Sequence, residues 1–242
     1  ASRPPPTSAR PAPASPALDR KWGAFSRAAG MPHGAVIRAL EGQVAASEVY
    51  PRPADLAAYA DDAWGASGER HLPEAVVFPA STEEVAGVVR VCAVHRVPIV
   101  PRGAGTGYAA GASPSQGGVI LSLARLNRVL GVESEAMRLH AQAGAITAAI
   151  HAQAAAAGLY YPPDPGSSAT CTIGGNVACN AAGPHTLRYG VTADFVAGVT
   201  AVLADGRIVR LGEGGDSSAA ALLSLMVGSE GTSAPATPSH LN

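Results

Sequence analysis

PEAVVFPASTEEVAGVVRVCAVHRVPIVPRGAGTG, residues 73–107, decides the fold. Ala75 to Phe78 is a short apolar strand stopped by Pro79. Ser81 then stands as an N-cap, and Glu83 and Glu84 occupy the first helical turn, where the helix dipole favours anions. Val85, Val88, Val89 and Cys92 recur at helical spacing, so one stripe of a helix running to about His95 faces a core. Val97 to Val100 is a second strand and Val119 to Leu123 a third. Strand, helix and strand with short joints make a βαβ unit, and its crossover is expected to be right-handed.

Working outward, the texture changes. Val129–Glu133 and Met137–Ala143 read as a hairpin, and Ile146–Ala157 as an alanine-rich helix ended by Gly158. Phe195–Leu203 and Arg207–Leu211 flank Asp205-Gly206, a strong hairpin signal. Ser217–Met226 reads as a last helix. The order predicts an α+β fold: a small parallel βαβ subdomain, then a larger mixed or antiparallel sheet with helices. Ahead of it, residues 22–72 carry short helical patterns around Val36, Ile37 and Leu40 and around Leu56 and Tyr59. Residues 1–21, rich in Pro and Ala, cannot repay their ordering entropy by burial and are expected to be disordered.

Composition removes several function classes. The chain has 242 residues and a net charge of −1, so no cationic field tracks a nucleic-acid backbone. No apolar run is long enough for a transmembrane helix. The first twenty residues lack the apolar core of a signal peptide, and a cytoplasmic place, with the inner-membrane surface as the alternative, is expected. Three cysteines, Cys92, Cys171 and Cys179, show no CxxC spacing and read as small buried hydrophobes. No metal site is expected. The hydrophobic share is 47% but the aromatic share only 5%, so the core is built from small side chains.

Two stretches carry chemistry. Pro101-Arg102-Gly103-Ala104-Gly105-Thr106-Gly107 directly follows a strand, and its alternating glycines let the backbone approach a ligand. Successive amides there can form an anion nest, each charge-assisted bond contributing about 1.5–3 kcal/mol. Thr106 adds a hydroxyl and Arg102 a charge to set against a phosphate. The spacing is neither the dinucleotide GxGxxG nor a Walker A loop, so a bare flexible turn stays open as an alternative. The second stretch, residues 161–190, reads YPPDPGSSATCTIGGNVACNAAGPHTLRYG. Its prolines and paired glycines favour an ordered loop lining a ligand, with a plain surface loop as the alternative.

These stretches, with GGVILSLARLNRVL and VGSEGT, resemble the PCMH-type FAD-binding domain of the vanillyl-alcohol oxidase flavoprotein superfamily, in its glycolate oxidase and D-lactate dehydrogenase branch. The resemblance runs from about Pro73 to Thr232 and covers several long motifs in order. It implies FAD as cofactor, with residues 101–107 holding the diphosphate. It places Pro163, Asp164, Thr172, Gly174, Gly175, Asn176 and Asn180 along the cofactor, with Glu230 and Gly231 near the flavin or its ribityl chain. It also implies oxidation of a 2-hydroxy acid such as glycolate or D-lactate, by hydride transfer to flavin N5, and electron-transfer or iron–sulfur partner subunits.

Departures from the family pattern sharpen the reading. After VGSEGT the family continues into a strand and a substrate domain, whereas residues 233–242 read as a divergent polar tail. A flavin domain truncated before its substrate domain is expected to hold FAD weakly or not at all, with catalytic residues unassigned. A non-catalytic FAD-binding or assembly module stays open as the alternative, and so does a protein that binds a different nucleotide. Tyr108 occupies the place of a flavin-linked histidine in some relatives, so no covalent link is expected there. His140 and His151 read as structural or exposed histidines; the resemblance puts His185 in the family's flavin-proximal loop, with a structural histidine as the alternative.

Overall fold

In the computed structural model the described residues are 33–63, 71–213 and 217–241. The segment 1–21 and the first part of 22–72 lie outside them. The chain enters through α1 (His33–Glu41), β1 (Val49–Tyr50) and α2 (Pro53–Leu56), then runs through β2 (Ala75–Val77), α3 (Thr82–His95), β3 (Ile99–Arg102) and β4 (Val119–Ser122). The strands form a sheet in the order β1-β2-β4-β3. β2 and β3 both lie parallel to β4, which sits between them, and β1 closes the edge antiparallel to β2. The expected βαβ unit is therefore present, with β4 inserted between its strands.

The two-residue period of a strand sorts this sheet's side chains. Ala75, Val77, Val119 and Leu121 pack with the Val85, Val88, Val89 and Cys92 stripe of α3 and with Val36, Ile37 and Leu40 of α1. Val76 and Ile120 pack on the other side with Leu56 and Tyr59. Segment 33–63 thus contributes a helix to one face of the sheet, an edge strand, and cover for the other face. Ser81 caps α3 by accepting from the Glu84 amide at 3.1 Å, and Arg96 ends it in the left-handed conformation.

The second sheet contains β5 (Val129–Glu133), β6 (Arg138–Gln142), β7 (Val196–Val202), β8 (Ile208–Gly212) and β9 (Ala236–Leu241). Its order is β5-β6-β9-β7-β8 and every pairing is antiparallel. Four helices accompany it: α4 (Thr147–Ala156), α5 (Ile173–Cys179), α6 (Thr186–Tyr189) and α7 (Ser217–Met226). Ile150, Ile173, Val177, Val199, Leu211 and Leu241 form its buried core. Both hairpins and the helices of the sequence reading are present.

Segment 233–242 departs from its reading as a tail. Residues 236–241 form a strand in the middle of the second sheet, with Leu241 opposite Leu139 of β6 and Ser239 opposite Val199 of β7. Ladder bonds are made by backbone, so a strand with a polar sequence can be recruited by two neighbours. Pro238, which has no N–H, falls where the register against β7 shifts.

Candidate functional site

A cavity of about 570 Å³ opens where the end of β3, α5 and the lead-in to β9 meet. All seven residues from Pro101 to Gly107 line it, together with Thr172, Gly174, Gly175, Asn176, Glu230 and Gly231. Its volume suits a ligand the size of a small cofactor. The two stretches that the sequence singled out therefore face the same space.

Loop 103–107 has the donors. Among the described residues no acceptor meets the amides of Gly103, Ala104, Gly105, Thr106 or Gly107. A run of unpaired N–H groups bordering a cavity is an anion-binding concavity. Gly105 takes φ +70°, and a Cβ added there would run into the Arg102 guanidinium. A Cβ on Gly103 would run into Thr172 Oγ1, so glycine lets the loop and the start of α5 touch.

α5 is tied up internally. The Ile173 amide donates to Ala145 O at 2.9 Å, Gly174 to Ala143 O at 2.7 Å, and Gly175 to the N-cap Thr172 Oγ1 at 3.3 Å. Among the described residues loop 103–107 offers unpaired donors to the cavity, and α5 supplies a wall. Beneath that wall Asn176 Nδ2 donates to Thr147 Oγ1 at 2.7 Å, and Thr147 Oγ1 lies 3.2 Å from Cys171 Sγ, all three residues buried.

Charge is unevenly placed. Arg102, expected to face a phosphate, is buried and its Nη1 donates to the carbonyls of Asp61 at 2.8 Å and Ala112 at 2.9 Å. Burial lowers its pKa, and the charges of Asp62, Tyr59 and Asp61 act in the opposite direction. Asp62 and Glu230 also line the cavity. Cys179 Sγ donates to Glu230 Oε2 at 3.2 Å; partial desolvation of the thiol by its surroundings, that bond and the nearby carboxylates push its pKa up to about 12. Glu230 sits at φ +53°, a strained conformation for a residue with a side chain. Ser229 Oγ is buried in the same wall with no hydrogen-bond partner in the structure.

Three expected residues stand outside the lining. Asn180 ends α5 in the left-handed conformation and accepts from the Ala193 amide at 2.9 Å. Pro163 is buried with its carbonyl 2.8 Å from His151 Nε2, and Asp164 packs its backbone against Gly183. The sequence reading missed Asp62, Ser229, Ala236 and Cys179 as lining residues. Cys179 corrects the view of three buried cysteines: Cys92 and Cys171 are buried, but Cys179, on the last turn of α5, is exposed. Tyr108 lies at the rim, 74% exposed, while His185 heads α6 away from the lining. His140 Nε2 pairs with Glu133 at 2.7 Å, and neither it nor His151 lines the cavity. No metal-holding cluster and no helix able to cross a membrane occur among the described residues.

Residues 73–212 match the model of a family described as "FAD binding domain". The chain is 42% identical over 163 residues to the glycolate oxidase subunit GlcD of Bacillus subtilis, covering 66% of this chain and 35% of that protein. It is 45% identical over 162 residues to a D-lactate dehydrogenase of Anaerostipes hadrus, covering 66% and 34%, and 40% identical over 197 residues to Escherichia coli GlcD, covering 81% and 39%. The chain thus spans little more than a third of these relatives' length. A solved alkyldihydroxyacetonephosphate synthase superposes with a TM-score of 0.73 at 22% identity, over 86% of this chain and 43% of that one, which shows a shared fold.

Proposed function

Since the chain belongs to the FAD binding domain family, with FAD as the family's cofactor, we propose that it is the flavin-binding portion of an oxidoreductase acting on a 2-hydroxy acid such as glycolate or D-lactate. The residues fit that cofactor. The carrying observation is the unbroken run of unpaired amides from Gly103 to Gly107 along a cavity that residues 172–176 and 230–231 also line.

In this reading the 103–107 amides grip the diphosphate, with Thr106 adding its hydroxyl. Thr172, Gly174, Gly175 and Asn176 form the wall along the bound molecule. The orphaned Ser229 hydroxyl and the Glu230 carboxylate face its hydroxyl and N–H groups rather than its phosphates, since a carboxylate repels an anion and accepts from a donor. FAD held there would supply two-electron redox chemistry for converting a 2-hydroxy acid to a 2-oxo acid. Glycine at 103 lets the loop sit directly against Thr172, which fixes the shape of the grip.

Relatives named as a glycolate oxidase subunit support a place beside partner subunits; in this proposal those partners include electron-transfer or iron–sulfur subunits, and the protein works in the cytoplasm or on the inner-membrane face. The 2-hydroxy acid is handled together with the two thirds of the relatives' length that this chain does not span. Titrating the purified chain with FAD and with ATP, followed by flavin fluorescence and competition, tests the reading. FAD is expected to bind and ATP to displace it poorly. Preference for ATP, or no flavin binding, would overturn it.

A further inference from the structure

Residues 59–63 lie across the anion-binding loop and are tied to it at several points. The Ala63 amide donates to Gly105 O at 2.9 Å, and the Asp62 amide to Ser113 Oγ at 3.1 Å. Arg102 Nη1 joins the carbonyls of Asp61 and Ala112, bridging this strap to the far end of the same loop. The Arg102 guanidinium carbon lies 5.4 Å from the centre of the Tyr59 ring, and Tyr59 in turn packs edge-on against Phe78, beside β2, at 6.1 Å. The strap is thereby anchored to the first sheet.

The geometry has a consequence for the donors. In a trans peptide the carbonyl of one residue and the N–H of the next point in opposite directions. Holding Gly105 O against the Ala63 amide therefore turns the Thr106 N–H away from the strap. The Arg102 side chain runs under the same turn, where it would meet any Cβ on Gly105. Both guanidinium hydrogens of its Nη1 are committed to carbonyls, which is the work of a brace rather than of a charge held ready for a ligand.

We propose that residues 59–63, of which Asp62 lines the cavity, form a strap that locks loop 103–107 in its donor-presenting shape, and that Arg102 is a positioning residue of this lock instead of the counter-charge of the diphosphate. The inference rests on the FAD reading above. It makes the segment ahead of the family match, which begins at residue 73, part of the cofactor site.

The test uses the full chain and three variants, Ser113→Ala, Tyr59→Leu and Arg102→Met, with FAD affinity and amide hydrogen exchange at Asp62 and Ala63 as readouts. Ser113 does not line the cavity, and its substitution is the mildest, so a fold failure in the other two leaves a usable variant. Each variant loosens a tie between the strap and the loop and is expected to weaken FAD binding by about tenfold. Exchange at Asp62 and Ala63 is expected to quicken in all three, and to slow in the unaltered chain when FAD is added. If only Arg102→Met weakens binding, and the loss grows at low salt, Arg102 is a counter-charge and the proposal falls. If the unaltered chain binds FAD and all three variants bind it equally well, the lock falls while the FAD reading stands. If the unaltered chain binds no FAD, the reading beneath falls and takes the lock with it.

Discussion

The Cys179 thiol donates to Glu230 Oε2 at 3.2 Å, joining the last turn of α5 to the loop that leads towards β9 across the cavity wall. Glu230 N also donates to Ala178 O at 2.8 Å, so the strained Glu230 backbone is held by the same helix end. The contact places a thiol and a carboxylate side by side on the lining, and their coupling can be read chemically.

Cys179 is the exposed thiol, with Cys92 and Cys171 buried. Its pKa of about 12 leaves little thiolate at neutral pH, so alkylation by iodoacetamide is expected to be slow and to quicken as pH rises towards that value. Glu230→Gln removes a charge that raises the pKa, so labelling at pH 8 should speed up. Added FAD should slow it in both proteins. Mass spectrometry of the labelled peptide checks each expectation, and faster labelling of the unaltered protein than of the variant would contradict the assigned coupling.

Gly105→Val is expected to abolish FAD binding. The substitution forces a β-branched residue into φ +70° and drives its Cβ into the Arg102 guanidinium, with about 1–3 kcal/mol of backbone strain. Gly131 provides the control, because a Cβ there meets nothing within 4 Å. Gly131→Ala should stay within about 0.5 kcal/mol of the unaltered chain and keep its flavin affinity. Urea unfolding and flavin titration of the two variants separate the local effect from a general loss of fold.

What could be read from the sequence follows the range of the forces involved. The β2–α3–β3 unit was legible because Val85, Val88, Val89 and Cys92 repeat at the helical period and Ser81 announces a cap. The glycines of 103–107 were legible because alternate glycines signal a close approach. β9 was not, since Ala236–Leu241 carries a proline and polar residues and gains its strand state from backbone pairing with β6 and β7. The strap was missed for a similar reason. Its ties use the Asp61 carbonyl and the Asp62 and Ala63 amides, groups that every ordinary residue has. Arg102, the last residue of β3, lines the cavity, but its charge suggested a phosphate, whereas its buried Nη1 meets two carbonyls.

Thr172 tests the α5 wall. Its Oγ1 accepts from the Gly175 amide at 3.3 Å and touches the space that Gly103 leaves open. Thr172→Ala should cost about 0.5–2 kcal/mol of stability through the lost cap. Flavin affinity should fall as well, since the contact that sets the loop against the helix is thinned. Equal stability of variant and unaltered chain in urea would mean that the long 3.3 Å bond does not cap the helix.

Asn176 offers the sharpest contrast between buried and exposed polar contacts. Its Nδ2 donates to Thr147 Oγ1 at 2.7 Å with both residues buried, linking α5 to α4 beneath the cavity. Asn176→Leu leaves the Thr147 oxygen without this donor and places a branched apolar group beside it, so a loss of about 1–3 kcal/mol is expected. Arg138 and Glu213 form an ion pair at the surface of the second sheet, open to solvent on both sides. Arg138→Gln should change stability by no more than about 1 kcal/mol, because water screens exposed pairs and their ordering opposes the gain. Denaturant midpoints of the two variants, measured at the same ionic strength, decide the matter: an Arg138→Gln loss as large as that of Asn176→Leu would show that the surface pair, and not the buried network, holds the second sheet and its helices together.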